Sequence, residues 1–366
     1  MNKLGFGFLR LPMVEADGEK HIDLELTCRM VDAFIGNGGK YFDTAYTYLG
    51  GKSETALRET LVKRYPRDSF IIADKLPGYK AKTYEDCQRY FDEQLERCGV
   101  EKFDVYMLHW LNRANYDVCE RLDEFRFLRG LKARGLADRI GFSFHDSPEL
   151  LDEILAKHPC VDIVQLQINY LDWLSPSLRA GECYEVARKH GKRVVVMEPV
   201  KGGSLAKLPE EAAKRLAGAL NDSPARFALR FAQSLDNVDI VLSGMSDLAQ
   251  VDENMRDMPP ITGDEHVLAM ELAEIMRSSI AVPCTGCAYC ASHCPMNIAI
   301  PEYFALYNEY ARTPSDGWKM QHAYDRNARN RGKASDCIGC RQCEKNCPQK
   351  LRIAELLKNV AKAFEG

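Results

Sequence analysis

Asp43, Tyr48, Lys75 and His109 put a carboxylate, a phenol, an ammonium and an imidazole at the ends of successive short apolar runs. Lys40 to Ala45 carries Asp43 with Tyr48 just beyond it, Ser69 to Lys75 ends in the lysine, and Phe103 to His109 ends in the imidazole. Such groups hold and move protons and stabilise developing charge. Singly, each reads as well as a helix cap, a packing ring or a satisfied core imidazole; together on consecutive strand ends they argue for an active site. A second chemistry lies near the C-terminus, in Cys284-x-x-Cys287-x-x-Cys290-x-x-x-Cys294-Pro295 and Cys337-x-x-Cys340-x-x-Cys343-x-x-x-Cys347-Pro348. Three thiolates spaced by two residues wrap three irons of a cubane, and the fourth reaches the other cluster. That assigns Cys284, Cys287, Cys290 and Cys347 to one 4Fe-4S cluster and Cys337, Cys340, Cys343 and Cys294 to a second. Paired tetrahedral zinc sites, the alternative for Cys-x-x-Cys, need no Cys-Pro at this spacing.

The elements that must position these residues alternate. Apolar runs at Leu4 to Leu9, Lys40 to Ala45, Ser69 to Lys75, Phe103 to His109, Arg139 to Ser143, Val161 to Gln165, Arg193 to Met197 and Val238 to Ser243 read as strands, separated by amphipathic helical stretches. Eight such units fit a closed parallel (β/α)8 TIM barrel better than an open doubly wound sheet. No G-x-G-x-x-G follows any strand, so a nicotinamide cofactor would have to bind at the barrel mouth. Alternation places Ile71, Ala73 and Lys75 on one face and Val105, Met107 and His109 on another, with Asp74 pointing away. The barrel pattern stops after Pro259-Pro260. Residues 1–260 are therefore expected to be barrel, 261–282 a linker helix, and 283–366 a small, mainly helical cysteine domain. Cys294 to Glu302 aligns with Cys347 to Glu355, so the cysteine motifs form an internal repeat.

Composition bounds the rest. The chain has 366 residues, net charge -4, 46% hydrophobic and 28% charged residues, with no basic block that would suit nucleic acid. No apolar run of about 18 residues is present, so a soluble, cytoplasmic protein with no membrane partner is expected. Of 14 cysteines, eight are clustered. Cys28, Cys87, Cys98, Cys119, Cys160 and Cys183 are scattered and read as buried small hydrophobes, which excludes a disulfide scaffold.

From about Leu4 to Met255 the strand-end quartet resembles the catalytic tetrad of the aldo-keto reductases, and the cysteine spacing is similar to that of bacterial ferredoxins. The resemblance implies that Tyr48 donates a proton to a carbonyl oxygen as hydride reaches the carbon. Lys75 would lower the phenol's pKa, Asp43 would hold Lys75, and His109 would orient the carbonyl. Tyr46 is a rival donor, but the family's spacing selects Tyr48. The resemblance also implies that Ser143 and Gln165 hold a nicotinamide amide, that Met197 lies where an aromatic ring usually stacks, and that Gly244, Ser246, Glu253 and Asn254 belong to the segment that binds phosphate and adenine. Phe144 stands where the family has Asn, and His145 is a candidate replacement or pocket group. Arg256 is the sole candidate to clamp a 2'-phosphate, which leaves NADP and NAD both open. The expected protein is an oxidoreductase acting on a small-molecule carbonyl or alcohol, with clusters that relay electrons, to an electron-carrier protein for example, or are structural. The alternative is an electron-transfer or interaction module whose barrel no longer uses nicotinamide.

Overall fold

The computed structural model describes residues 3–16, 18–175, 178–312 and 317–366. The chain enters as β1 (Leu4–Gly7), makes a hairpin of β2 (Met13–Ala16) and β3 (Glu19–Ile22), and continues through β4 (Tyr41–Asp43), β5 (Ile71–Leu76), β6 (Phe103–Leu111), β7 (Ala137–Phe144), β8 (Ile163–Gln167), β9 (Arg193–Met197) and β10 (Val238–Ser243). Apart from the hairpin, these strands pair in parallel in the order β1-β10-β9-β8-β7-β6-β5-β4, and β1 closes on β4. This is the eight-stranded barrel expected from the alternation.

Tyr41, Ala73, Val105, Met107, Ile163, Val195 and Leu242 fill the barrel as one apolar cluster. Two residues further along β4, β5, β6, β8 and β9 come Asp43, Lys75, His109 (after Met107), Gln165 and Met197, so a mostly polar ring caps the apolar column. Outside the sheet, the helix Leu24–Gly36 covers β1 and β4 through Phe34, which meets Phe6 and Phe42 at centroid distances of 5.6 and 5.3 Å. Asp23 starts that helix by accepting the Leu26 amide at 2.9 Å. Helix Tyr84–Cys98 stops at Gly99, whose φ of 70° is the left-handed cap that glycine tolerates.

Some elements differ from the sequence reading. The first strand ends at Gly7 rather than Leu9, and the hairpin after it was not anticipated. Met13 and Val14 are each 45% exposed, so its apolar residues mark no core face. The amphipathic stretch after β4 is α-helical only over Ser53–Leu57 and then widens into a π turn, Arg58–Val62. The strand expected at Val161 runs from Ile163 to Gln167; the shift of two keeps the inward face.

The chain separates into two compact units, one of Met1–Leu174, Arg179–Pro199 and Arg226–Gly263, the other of Ser175–Leu178, Val200–Ala225 and Asp264–Gly366. The second unit is largely helical, with Ile300–Arg312, Gly317–Ala328 and Ile353–Phe364 around Tyr303, Tyr324 and Phe364. Tyr324 stacks on Phe364 at 5.1 Å. The stretch between Cys294 and Cys337, read as helical from its sequence, is helical over Ile300–Arg312 and Gly317–Ala328, while its ends pair in an isolated bridge between Ile298 and Gly332; residues 313–316 lie outside the described residues. The repeat is also visible in the backbone. Gly286 and Gly339 have φ of 68° and 70°, Ala288 and Arg341 62° and 56°, Asn297 and Lys350 both 53°. These pairs share the offset that relates Cys284 to Cys337, so both cysteine loops take one conformation. Among the described residues, no helix is long and apolar enough to cross a membrane.

Candidate active site

Lys75, the hub of the site, has no solvent exposure. Its Nζ donates to Asp43 Oδ1 at 2.6 Å and to the Thr44 carbonyl at 2.8 Å. Gln165 Nε2 donates to the other carboxylate oxygen of Asp43 at 3.2 Å. Burial pushes the Asp43 carboxyl up, and the Lys75 charge and these hydrogen bonds pull it back. The Lys75 ammonium also faces the Tyr48 ring, 4.9 Å from its centroid, and His109 packs edge-on to that ring at 5.8 Å. The four predicted catalytic residues thus converge on one rim of the barrel.

Two electrostatic features were not legible in the sequence. Burial holds the Tyr48 phenol well above its ordinary value, with Asp43 and Glu198 adding to the rise. The expectation that Lys75 lowers it is corrected: desolvation and nearby carboxylates outweigh the ammonium, so Tyr48 keeps its proton at neutrality. His109 moves the other way. Burial, Lys75 and His145 press its pKa well below the usual imidazole value, leaving a neutral ring. His109 Nδ1 is buried without a hydrogen-bond partner. An orphaned nitrogen beside a phenol fits a polar oxygen of a substrate.

The other predicted contacts occupy the same rim. Ser143 Oγ accepts the Trp110 amide at 2.7 Å, tying β7 to β6 where Trp110 adopts φ 64°. Met197 ends β9, paired with Gln167. After β10, the carbonyl-side segment is stapled to itself: Asn254 Nδ2 donates to Ser243 Oγ at 3.1 Å, and the Ser246 amide donates to Gln250 at 2.9 Å. Gly244 leaves room for Arg10, whose side chain a Cβ there would meet at 3.1 Å. The Glu253 carbonyl accepts from Arg226 at 2.9 Å, and Arg256 is exposed. Phe144 is buried against Phe142, so that position supplies no polar group. Asp74 indeed turns outward, bonded to Cys98 at 3.6 Å and beside Glu54.

Sequence reasoning missed several groups at this rim. Tyr79 packs on both His109 and Trp110, at 6.0 and 5.3 Å. Glu198, at φ 55°, pairs with Arg10 at 3.5 Å and keeps one buried carboxylate oxygen unpartnered. Its position directly after a strand-end residue was the only available signal.

In the second unit, one cavity is lined by Cys284, Cys287, Cys290 and Cys347, together with Phe304 and Leu351 among others. These are the four ligands assigned to one cubane, including the cross-over from the second motif. Of the other set, Cys294 and Cys337 lie near enough to Cys343 to act on it electrostatically, and Cys340 is exposed. The Gly286 amide donates to Cys284 Sγ and the Ile298 amide to Cys294 Sγ, both at 3.4 Å. Such bonds stabilise cluster-bound sulfur. Burial pushes the Cys284 and Cys343 thiols up to about 11. Thiols in that state need a cationic group to lose their protons, which bound iron would supply.

Residues 3–266 match the family model described as the aldo/keto reductase family, and residues 283–351 match that of a 4Fe-4S dicluster domain. An aldo-keto reductase of Mycobacterium avium is 25% identical over 274 residues, 74% of this chain and 85% of that protein. A glyoxal reductase of Bacillus subtilis is 27% identical over 205 residues, 55% of this chain and 67% of that one. Among solved structures, the holo form of an aldo-keto reductase from Bacillus halodurans has a TM-score of 0.59 at 25% identity, covering 74% of this chain and 91% of its own. An aldo/keto reductase of Klebsiella pneumoniae, in complex with NADP and acetate, shares the fold at a TM-score of 0.57 and 17% identity, covering 75% and 91%.

Proposed function

The chain belongs to the aldo/keto reductase family and carries a C-terminal 4Fe-4S dicluster domain, and from that premise we propose that it interconverts a small carbonyl compound and an alcohol at the barrel rim. The observation that carries the reading is the buried Asp43–Lys75 pair beneath the Tyr48 ring, beside the unpartnered Nδ1 of His109. NADP or NAD, when bound, supplies the hydride. Ser143, Gln165, Met197, Gly244, Ser246, Glu253 and Asn254 are the residues we assign to hold it.

Tyr48 keeps its proton until negative charge develops on the carbonyl oxygen, and then passes it across. Lys75 is the fixed cation that favours this transfer, because a phenolate beside an ammonium in a buried site is electrostatically stabilised. Asp43 fixes the ammonium and balances its charge. His109, neutral, orients the carbonyl oxygen without competing to protonate it. In the second unit, Cys284, Cys287, Cys290 and Cys347 would bind one 4Fe-4S cluster, and Cys294, Cys337, Cys340 and Cys343 another. Clusters exchange single electrons, so their proposed role is a relay to a carrier protein. A second reading, in which the barrel has given up nicotinamide, draws on Phe144, buried and apolar where the family presents Asn.

Tyr48→Phe tests the first reading. Carbonyl reduction should fall at least about a hundredfold while the cluster absorbance is unchanged. Retained turnover would remove Tyr48 from the donor role. Loss of nicotinamide binding by the unaltered protein would favour the second reading.

A further inference from the structure

Lys201 is a buried lysine that the reductase chemistry does not use. Only 2% exposed, it belongs to the second compact unit, although in sequence it lies just four residues beyond the end of β9. Its Nζ donates to Gln349 Oε1 at 2.8 Å. Gln349 is itself buried and follows Cys347 by two residues. The Lys201 charge also acts on the Cys284 thiol, favouring its thiolate.

The backbone is shaped to deliver this side chain. Lys201 has φ 46° and Gly202 φ 62°, two successive left-handed residues. A Cβ on Gly202 would lie 2.4 Å from the Thr285 carbonyl oxygen. The turn therefore rests directly on the Thr285–Gly286 peptide, next to Cys284, and neither conformation nor space admits a side chain at 202. Such strain persists only where the surroundings over-determine it. Burying an ammonium is costly unless anionic or polar partners compensate. The Cys284 thiolate, on which the Lys201 charge acts, is one group that supplies negative charge.

We propose that Lys201 sets the reduction potential of the cluster bound by Cys284, Cys287, Cys290 and Cys347. The inference rests on the 4Fe-4S reading of that site. Reduction adds one electron, and no proton, to a group whose thiolates already make it anionic. A fixed cation beside the ligands favours the more negative, reduced state, and local charge is among the determinants of cluster potential. Lys201 thereby makes this cluster easier to reduce. Sequence alone could not reveal this, because Lys201 and Cys284 are far apart along the chain and meet only in the fold.

The test is an anaerobic redox titration of the full, cluster-replete chain, with soluble mediators and dithionite, followed by electron paramagnetic resonance. Lys201→Met should lower the potential of one cluster by at least about 59 mV, a tenfold change in its reduced-to-oxidised ratio for one electron. Lys201→Arg should restore it, and the other cluster should not move. Lys201→Gln keeps a partner for Gln349 and should behave as Lys201→Met does. Unchanged potentials in fully loaded neutral variants would overturn the inference and leave the cluster reading intact. Loss of iron from both neutral variants would also overturn it, in favour of a structural role. An unaltered protein that holds no iron and sulfide after reconstitution would overturn the cluster reading itself.

Discussion

Lys75→Met removes an ammonium whose Nζ lies 2.6 Å from Asp43 Oδ1, with both side chains buried. Stripping one partner from a buried ion pair costs about 3–5 kcal/mol. Asp43 can limit the loss by taking up a proton. From an ordinary carboxyl pKa of about 3.9, holding that proton at pH 7 costs about 4 kcal/mol, at about 1.4 kcal/mol per unit. In the unaltered protein burial pushes Asp43 up, and Lys75 and the Gln165 hydrogen bond oppose it; in the variant Gln165 alone opposes the push. The folded-state pKa then lies above the unfolded one, the folded state binds more protons, and stability falls as pH rises above about 4. The penalty relative to the unaltered protein should therefore be larger at pH 7.5 than at pH 5.5, growing by at most about 1.4 kcal/mol per pH unit. Urea unfolding of the barrel transition, followed by circular dichroism across that range, measures it. A penalty below about 1 kcal/mol, or one independent of pH, would refute the argument that Asp43 is held ionised by Lys75.

Other outcomes follow from the same geometry. His109 is held neutral, its pKa well below the ordinary value, so the stability it contributes is present above about pH 6.5 and declines as pH falls below it, where the unfolded imidazole gains a proton. Nuclear magnetic resonance titration of the His109 ring should show no protonation step between about pH 6 and 8. Phe42→Ala empties the aromatic cluster at its centre and should cost about 3–5 kcal/mol in the same urea assay. Cys340 is the one exposed thiol among the eight clustered cysteines, whereas Cys290, Cys343 and Cys347 are buried. On exposure to air, iron release should be biphasic, with about half the iron lost first; Cys340→Ser should abolish the fast phase. Monophasic release would contradict it.

The barrel was legible because its strands are buried on both faces and alternate with amphipathic helices, and because Asp43, Lys75 and His109 cap inward columns whose period is two. The same periodicity placed Asp74 outside, where it meets Glu54 and Cys98. Less was visible where tertiary contacts decide. Nothing local to Val200–Gly203 announces that Lys201 meets Gln349, and nothing around Glu198 announces its bond to Arg10. The direction of the Tyr48 shift was misjudged because charge can be read from neighbours in sequence and desolvation cannot. The hairpin from Met13 to Ile22 was missed because its apolar residues face solvent and carry no burial pattern.

The most direct measurement of the central claim uses nicotinamide carrying deuterium at the transferable position, mixed anaerobically with the cluster-replete protein and a simple aromatic aldehyde. One deuterium on the carbinol carbon of the product, in the unaltered protein and not in Tyr48→Phe, is the result the site geometry predicts. Alcohol formed without deuterium, or formed equally well by Tyr48→Phe, would contradict it.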